Sequence, residues 1–175
     1  HVPYADFAAI RNATTEKTCA IMLEPIQGEG GVNVPNPDYF RQVRQWCDDH
    51  GMLLIFDEIQ TGVGRLGSLF GYQTFGVEPD VMTLAKGMGG GVPIGAVLAK
   101  ENASVFTPGD HGSTYGGNPL TCSAANAVVR YVVDQHVIAN VRKSGDRLME
   151  GLKKLQGEFA FVSDVRGMGP VSYTH

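Results

Sequence analysis

Long apolar runs, cysteine clusters and an excess of charge of either sign are all missing from this sequence, and each absence removes a class of function. No apolar stretch approaches the roughly 18 residues that a membrane-spanning helix needs. The only cysteines, Cys19, Cys47 and Cys122, are odd in number and far apart. They make neither a disulfide framework nor a metal-ligand spacing, so the expected compartment is reducing, the cytoplasm in the first instance. A net charge of −4 argues against nucleic acid or an anionic membrane as partner. The histidines His50, His111 and His136 show no metal spacing among themselves. The chain also opens without an initiator Met, a signal peptide or a helix-start signal, so it reads as a fragment.

What is plentiful is glycine, 23 residues in 175, gathered into clusters. A hydrophobic content of 43% is ordinary for a globular protein, so a buried core is available. The length suits one domain of ordinary size.

The periodicity predicts an α/β protein. Thr18-Cys-Ala-Ile-Met-Leu23 is a short apolar run suited to a buried strand. After Pro35-Asn-Pro37, the residues Tyr39, Phe40, Val43, Trp46 and Cys47 recur at helical spacing. Asn36 or Asp38 can cap that helix and Gly51 can end it. Met52-Leu-Leu-Ile-Phe56 follows at once. Strand, helix, strand makes a βαβ unit, which implies a parallel sheet covered on both faces. Asp80–Ala85 and Ile94–Ala99 are further strand candidates, and Phe159–Val165 reads as another. Helices are expected from about Asn118 to Val133 and from about Val137 to Leu155. Composition turns charged after Val133, which sets the expected domain boundary there, with residues 134–169 beginning a second, smaller unit.

Two residues stand out chemically. Asp57 ends a five-residue apolar strand, at the carboxyl edge where open α/β sheets place ligands; taken alone it could equally be a cap or an ion-pair partner. Lys86 lies between an apolar strand and Gly87-Met-Gly-Gly-Gly91, an odd place for a solvating charge. Glycines leave room for a planar ligand to approach the amine, and a lysine with a lowered pKa forms Schiff bases at neutral pH. Pyridoxal phosphate chemistry needs such a pair: a lysine for the aldehyde and an acid for the pyridine nitrogen.

A competing motif is Gly62-Val-Gly-Arg-Leu-Gly67, which matches the dinucleotide fingerprint, with Asp80 18 residues beyond Gly62 as a ribose-binding acid. That fingerprint needs a helix to start inside it. Ser68–Pro79 contains Gly71, Gly76 and a proline, which leaves no room for a crossover helix. A nicotinamide enzyme is therefore set aside. Gly87–Gly91 is not a nucleotide P-loop either, because no Gly-Lys-Ser/Thr ends it. A glycine-rich module that binds a partner without catalysis is the remaining alternative; it would form no covalent link to lysine.

The blocks Leu54-Ile-Phe-Asp-Glu-Ile-Gln-Thr-Gly62, Leu84-Ala-Lys-Gly-Met-Gly-Gly-Gly91 and His111-Gly-Ser-Thr-Tyr-Gly-Gly-Asn-Pro-Leu120 together resemble the class III (ω-amino) aminotransferases, which are fold-type I pyridoxal phosphate enzymes. The likeness runs from about Thr18 to Gly169 and is greatest to the acetylornithine/ornithine group. Glutamate-1-semialdehyde aminomutase, which shares the fold and the lysine, is the alternative within the class. The resemblance implies that Lys86 holds the cofactor and moves the proton, that Asp57 faces the pyridine nitrogen, and that Gln60 sits near the ring hydroxyl with Ile59 against a ring face. It implies that Thr114, with Ser113 beside it, binds the cofactor phosphate of a neighbouring subunit, and that Glu24 supports the cofactor site. Glu29 resembles the carboxylate that pairs with an arginine from the C-terminal part and tunes the substrate pocket.

Further implications are an amino acid and a 2-oxo acid as substrates, N-acetylornithine or ornithine with 2-oxoglutarate in arginine biosynthesis, and a homodimer with no metal. The main phosphate loop and the arginine for the substrate α-carboxylate fall outside these residues, so the isolated chain is expected to bind the cofactor poorly and not to transaminate. After Arg166-Gly-Met-Gly169, the tail Pro170–His175 departs from the family pattern and reads as non-native sequence.

Overall fold

The structure is a computed structural model, which describes residues 1–114 and 116–174; Tyr115, within the His111–Leu120 block, and His175, in the tail, lie outside the described residues. Four strands form one sheet in sequence order: β1 (Ala20–Leu23), β2 (Leu53–Asp57), β3 (Val81–Leu84) and β4 (Ala96–Ala99). β1, β2 and β3 are parallel, and β4 runs antiparallel to β3. The expected mostly parallel sheet is present.

Between β1 and β2 the chain crosses over through α2 (Pro37–His50), preceded by α1 (Phe7–Ala13). Asn36 is the cap of α2: its side chain accepts from Asp38 N at 3.0 Å, and Pro37 fills the first turn where no N–H is needed. Gly51 ends the helix in a left-handed conformation at φ 64°. The buried face of α2, Tyr39, Phe40, Val43 and Cys47, packs on Leu54 and Phe56 of β2. Phe40 is fully buried and meets the rings of Tyr39, Phe56 and Phe75 edge-on or tilted. Burial also pushes the Cys47 thiol up to about 11, which keeps it inert. α1 was not foreseen; its cap is Asp6, which accepts from Ala9 N at 2.9 Å.

After β3, α3 (Gly71–Phe75) having intervened, the chain passes through β4 to α4 (Pro119–Asp134) and α5 (Val137–Glu158), close to the helices predicted. Asn118 caps α4 through Thr121 N. His136, left-handed at φ 53°, makes the corner between the two helices, which coincides with the composition change after Val133. A second cluster joins Met82, Leu84 and Met88 to Ala125 of α4. No helix among the described residues is long and apolar enough to cross a membrane.

Among the described residues, Leu54, Phe56, Met82 and Leu84 are buried on one face of the sheet, whereas Met22 and Val97, on the other, are 59% and 63% exposed. One expectation needs correction: Phe159–Val165 is not a strand. α5 continues to Glu158, a turn follows, and the strand is β5 (Val165–Met168), paired antiparallel with β6 (Val171–Thr174). The tail therefore supplies the partner that β5 needs. The hairpin meets α5 so closely that a Cβ on Gly145 would lie 2.5 Å from Gly169 Cα, a contact only glycine permits.

Asp80 ends up at the amino end of β3, away from the edge that carries Asp57. Its Oδ2 accepts from Leu54 N and from Arg44 Nη1, both at 2.8 Å. Burial pushes this carboxyl up, but the Leu54 N–H and Arg44 outweigh it and hold the group below the usual carboxylate range. It is a structural link between strands, not a ribose ligand. Asp80→Ala should lower stability by about 2–3 kcal/mol, since the buried Leu54 N–H loses its acceptor and Arg44 keeps only Asp48 of its two carboxylate partners. The contribution is present above the ordinary carboxylate pKa and is lost as pH falls through the depressed one. Urea midpoints measured down the acid range should therefore converge for wild type and variant.

Candidate active site

The carboxyl ends of β2 and β3 carry the site. Asp57 is the last residue of β2, paired with Thr83 of β3. Its Oδ1 accepts from Ile59 N at 3.0 Å and from Thr83 Oγ1 at 3.2 Å. Among the described residues Oδ2 has no hydrogen-bond partner, so one oxygen is fixed and the other is available to a donor. Thr83 was not singled out in the sequence. Strand alternation would have found it, because register puts it beside Asp57 on the same face.

Lys86 follows β3 directly and opens a short 3₁₀ turn, Lys86–Gly89. It is exposed and takes the left-handed conformation at φ 43°. Lysine rarely adopts that backbone, and such strain gathers where a side chain must be aimed. Adjacent parallel strands thus deliver an acid and an amine to one edge of the sheet.

The turn after Asp57 is tied down from below by Glu58. Alternation sends its side chain to the opposite face, where it is 1% exposed and accepts from Gly71 N and, at 2.8 Å, from Tyr72 N. Gly62 N donates to Glu58 O at 2.8 Å and closes the turn. Burial raises the Glu58 carboxyl, against the lowering effect of those two N–H groups. Because the native state then holds its proton to higher pH than the unfolded chain, stability should fall as pH rises upward from the ordinary carboxylate range. Glu58→Gln should flatten that slope while keeping one acceptor for the two amides. Thermal unfolding of both forms across pH 4 to 8 checks this, and parallel slopes would contradict it.

Ile59 and Gln60 lie half-buried in the same turn. Gln60 packs against the loop after β1: a Cβ on Gly28 would lie 2.8 Å from Gln60 Oε1. In that loop Glu24 Oε2 accepts from Gly28 N at 3.0 Å, and the Tyr4 hydroxyl donates to Glu24 O at 2.9 Å. Glu24, Gln27 and Asp57 share the wall of a cleft of about 470 Å³, within the range of small-molecule sites; Lys86 is not part of that wall. Glu29 stands exposed at the loop tip. Asp57, Ile59, Gln60 and Glu24 are therefore brought together. Ser113 and Thr114 are not: both are exposed in the loop before α4, where Ser113 Oγ accepts from Gly116 N at 2.9 Å.

Gly62–Gly67 runs through turns, and the next helix, α3, has only five residues and begins at Gly71. The dinucleotide reading has no helix to rest on.

A carboxylate with one oxygen unclaimed, a strained exposed lysine and a flanking amide form a donor set that fits pyridoxal phosphate. Comparison with known proteins points the same way. The family model for class III aminotransferases matches residues 3–172. An acetylornithine aminotransferase from Caldanaerobacter subterraneus is 52% identical over 169 residues, covering 97% of this chain and 43% of that protein. The acetylornithine aminotransferase structure from Elizabethkingia anophelis superposes with a TM-score of 0.91 at 38% identity, over 98% of this chain and 46% of that one. The ornithine aminotransferase structure from Toxoplasma gondii gives 0.94 at 37% identity, over 99% and 42%. The chain thus spans under half the length of these relatives. By sequence and by fold, this chain belongs to the class III aminotransferase family.

Proposed function

We propose that this chain is the cofactor-holding segment of a pyridoxal 5′-phosphate-dependent aminotransferase that takes an amino group from an ω-amino donor, N-acetylornithine or ornithine, and gives it to 2-oxoglutarate. The role is in arginine biosynthesis, in a cytoplasmic homodimer. The observation that carries this reading is the arrival of Asp57 and Lys86 at one sheet edge on adjacent strands. The names of the relatives support the choice of substrate, and the identities near 50% support it over the semialdehyde aminomutase.

When bound, pyridoxal phosphate supplies an electron-withdrawing ring and an aldehyde that can carry an amino group. Asp57 would hold the ring-nitrogen end of the group through the oxygen that Ile59 and Thr83 leave unclaimed, and its charge would favour a proton there. Lys86 would hold the group through its ε-amine, and that amine, once freed, would serve as the base that carries the proton at Nζ. Gln60 would orient the ring hydroxyl and Ile59 would cover one ring face, while Glu24 holds the neighbouring loop through Gly28 N. Ser113 and Thr114 bind the phosphate on a second copy's cofactor. Glu29, at the loop tip, tunes the pocket for the substrate. Residues 1–133 then form part of the cofactor domain and 134–169 begin a smaller one.

Borohydride reduction of the whole protein with its cofactor, followed by peptide mapping, tests the reading. Covalent label on Lys86 is the expected result. Label elsewhere, or none, would end it.

A further inference from the structure

The loop that carries Glu29 is held by a residue 135 positions away in sequence. Its stem is closed by the backbone pair Gln27–Asn33, at 3.2 and 2.9 Å, and by Val32 N to Gly28 O at 2.9 Å. Its descending limb is unusual. Gly31 has φ 117°, and Val32 has φ 51°, a left-handed conformation that a β-branched side chain strongly resists. Arg166 of β5 closes on this limb. Nε donates to Gly31 O at 3.0 Å and Val32 O at 3.2 Å, and Nη2 donates to Gly31 O at 2.7 Å. Nη1 is paired with Asp164.

The two successive carbonyls converge on one guanidinium edge. A Cβ at position 31 would come within 3.3 Å of Nη2, so glycine there allows the approach. The charge-assisted grip on both carbonyls offsets the strain at Val32.

We propose that Arg166 is the positioning residue for the substrate loop: it holds Gly31 and Val32 in their left-handed turn and so fixes where Glu29 stands. The proposal rests on the reading of Glu29 as a substrate-tuning carboxylate. It adds the residue that sets that carboxylate's place, and it couples the C-terminal hairpin to substrate recognition. Arg166 works through backbone carbonyls, so it differs from an arginine that would pair with the Glu29 carboxylate itself. Lysine would not substitute, since a point charge lacks the planar edge that reaches two carbonyls at once.

The test uses the whole protein with cofactor bound and compares Arg166→Ala, Arg166→Lys and the double variant Arg166→Ala/Val32→Gly. Amide hydrogen exchange at Gly31–Asn33 should quicken about tenfold in both single variants, the scale of a lost charge-assisted hydrogen bond. The KM for the amino donor should rise by a similar factor of about ten, with kcat and the cofactor's visible absorbance little changed. Glycine at position 32 should return most of both effects, because it adopts the left-handed turn without the grip.

Unchanged exchange in Arg166→Ala would overturn the proposal. So would failure of Val32→Gly to restore it, or a fall in kcat and cofactor retention as large as the rise in KM. Faster exchange combined with a normal KM in both Arg166→Ala and Glu29→Ala would sink the substrate role of Glu29 and leave the latch standing.

Discussion

Replacing Lys86 by alanine is expected to abolish transamination, with a loss of at least about a thousandfold in turnover when both a covalent anchor and a proton carrier are removed. Lys86 is the amine delivered to the carboxyl edge of the sheet beside Asp57, and its left-handed backbone, φ 43°, is a strain that a solvated lysine would have no reason to carry. A second expectation separates this from general damage. Lys100, paired with Glu78 and Asp80 at the other end of β3, is a lysine of the same region with a structural role. Lys100→Ala should retain borohydride labelling at Lys86, whereas Lys86→Ala should take up no label above background. Turnover near the wild-type rate in Lys86→Ala would remove the lysine from the chemistry.

Replacing Asp57 by asparagine or alanine is expected to give a different pattern. In the proposed reading the carboxylate serves the ring nitrogen and the amine the aldehyde, so removing the carboxylate should leave covalent attachment to Lys86 intact. What the variants lose, in that reading, is the negative charge that would keep the ring nitrogen protonated. Loss of one preorganised electrostatic partner commonly costs about 10²- to 10³-fold in rate, and the proton-transfer step should slow by that order. Asparagine preserves the hydrogen bonds from Ile59 N and Thr83 Oγ1 at one oxygen, so its effect should report the charge and not the turn geometry. A primary isotope effect on donor deuterated at the reacting carbon should grow in the variants. Equal rates with and without the carboxylate would place Asp57 outside the site.

The lysine and the acid were legible because each breaks the pattern around it. Asp57 ends an otherwise apolar strand, and Lys86 sits where hydrophobic periodicity gives way to glycine. The βαβ unit was legible for a related reason: α2 repeats its apolar residues at helical spacing between a cap at Asn36 and a stop at Gly51. The support beneath the site was less visible. Glu58 reads as a second acid of a loop, yet it is buried under the turn and holds two amides of α3, a partnership over 13 and 14 residues that no local pattern announces. The C-terminal strand was misplaced because Phe159 and Phe161 look apolar enough to be buried. They remain 43% and 80% exposed, while the strand forms where residues 171–174 offer it a pairing edge.

By itself the sequence determined the main periodicities, the stop of α2 at Gly51, and the arrival of Asp57 and Lys86 at the carboxyl edge of the sheet. All of these depend on neighbours within a turn or a strand of each other, where backbone geometry alone dictates the outcome. Only the tertiary structure decided which oxygen of Asp57 is left unclaimed, which acid is buried instead, and which distant arginine grips the Glu29 loop. Those outcomes follow from contacts between segments tens of residues to well over a hundred residues apart. A hydrogen bond across such a distance is specified by packing of the whole sheet, and it leaves no periodic trace in the chain.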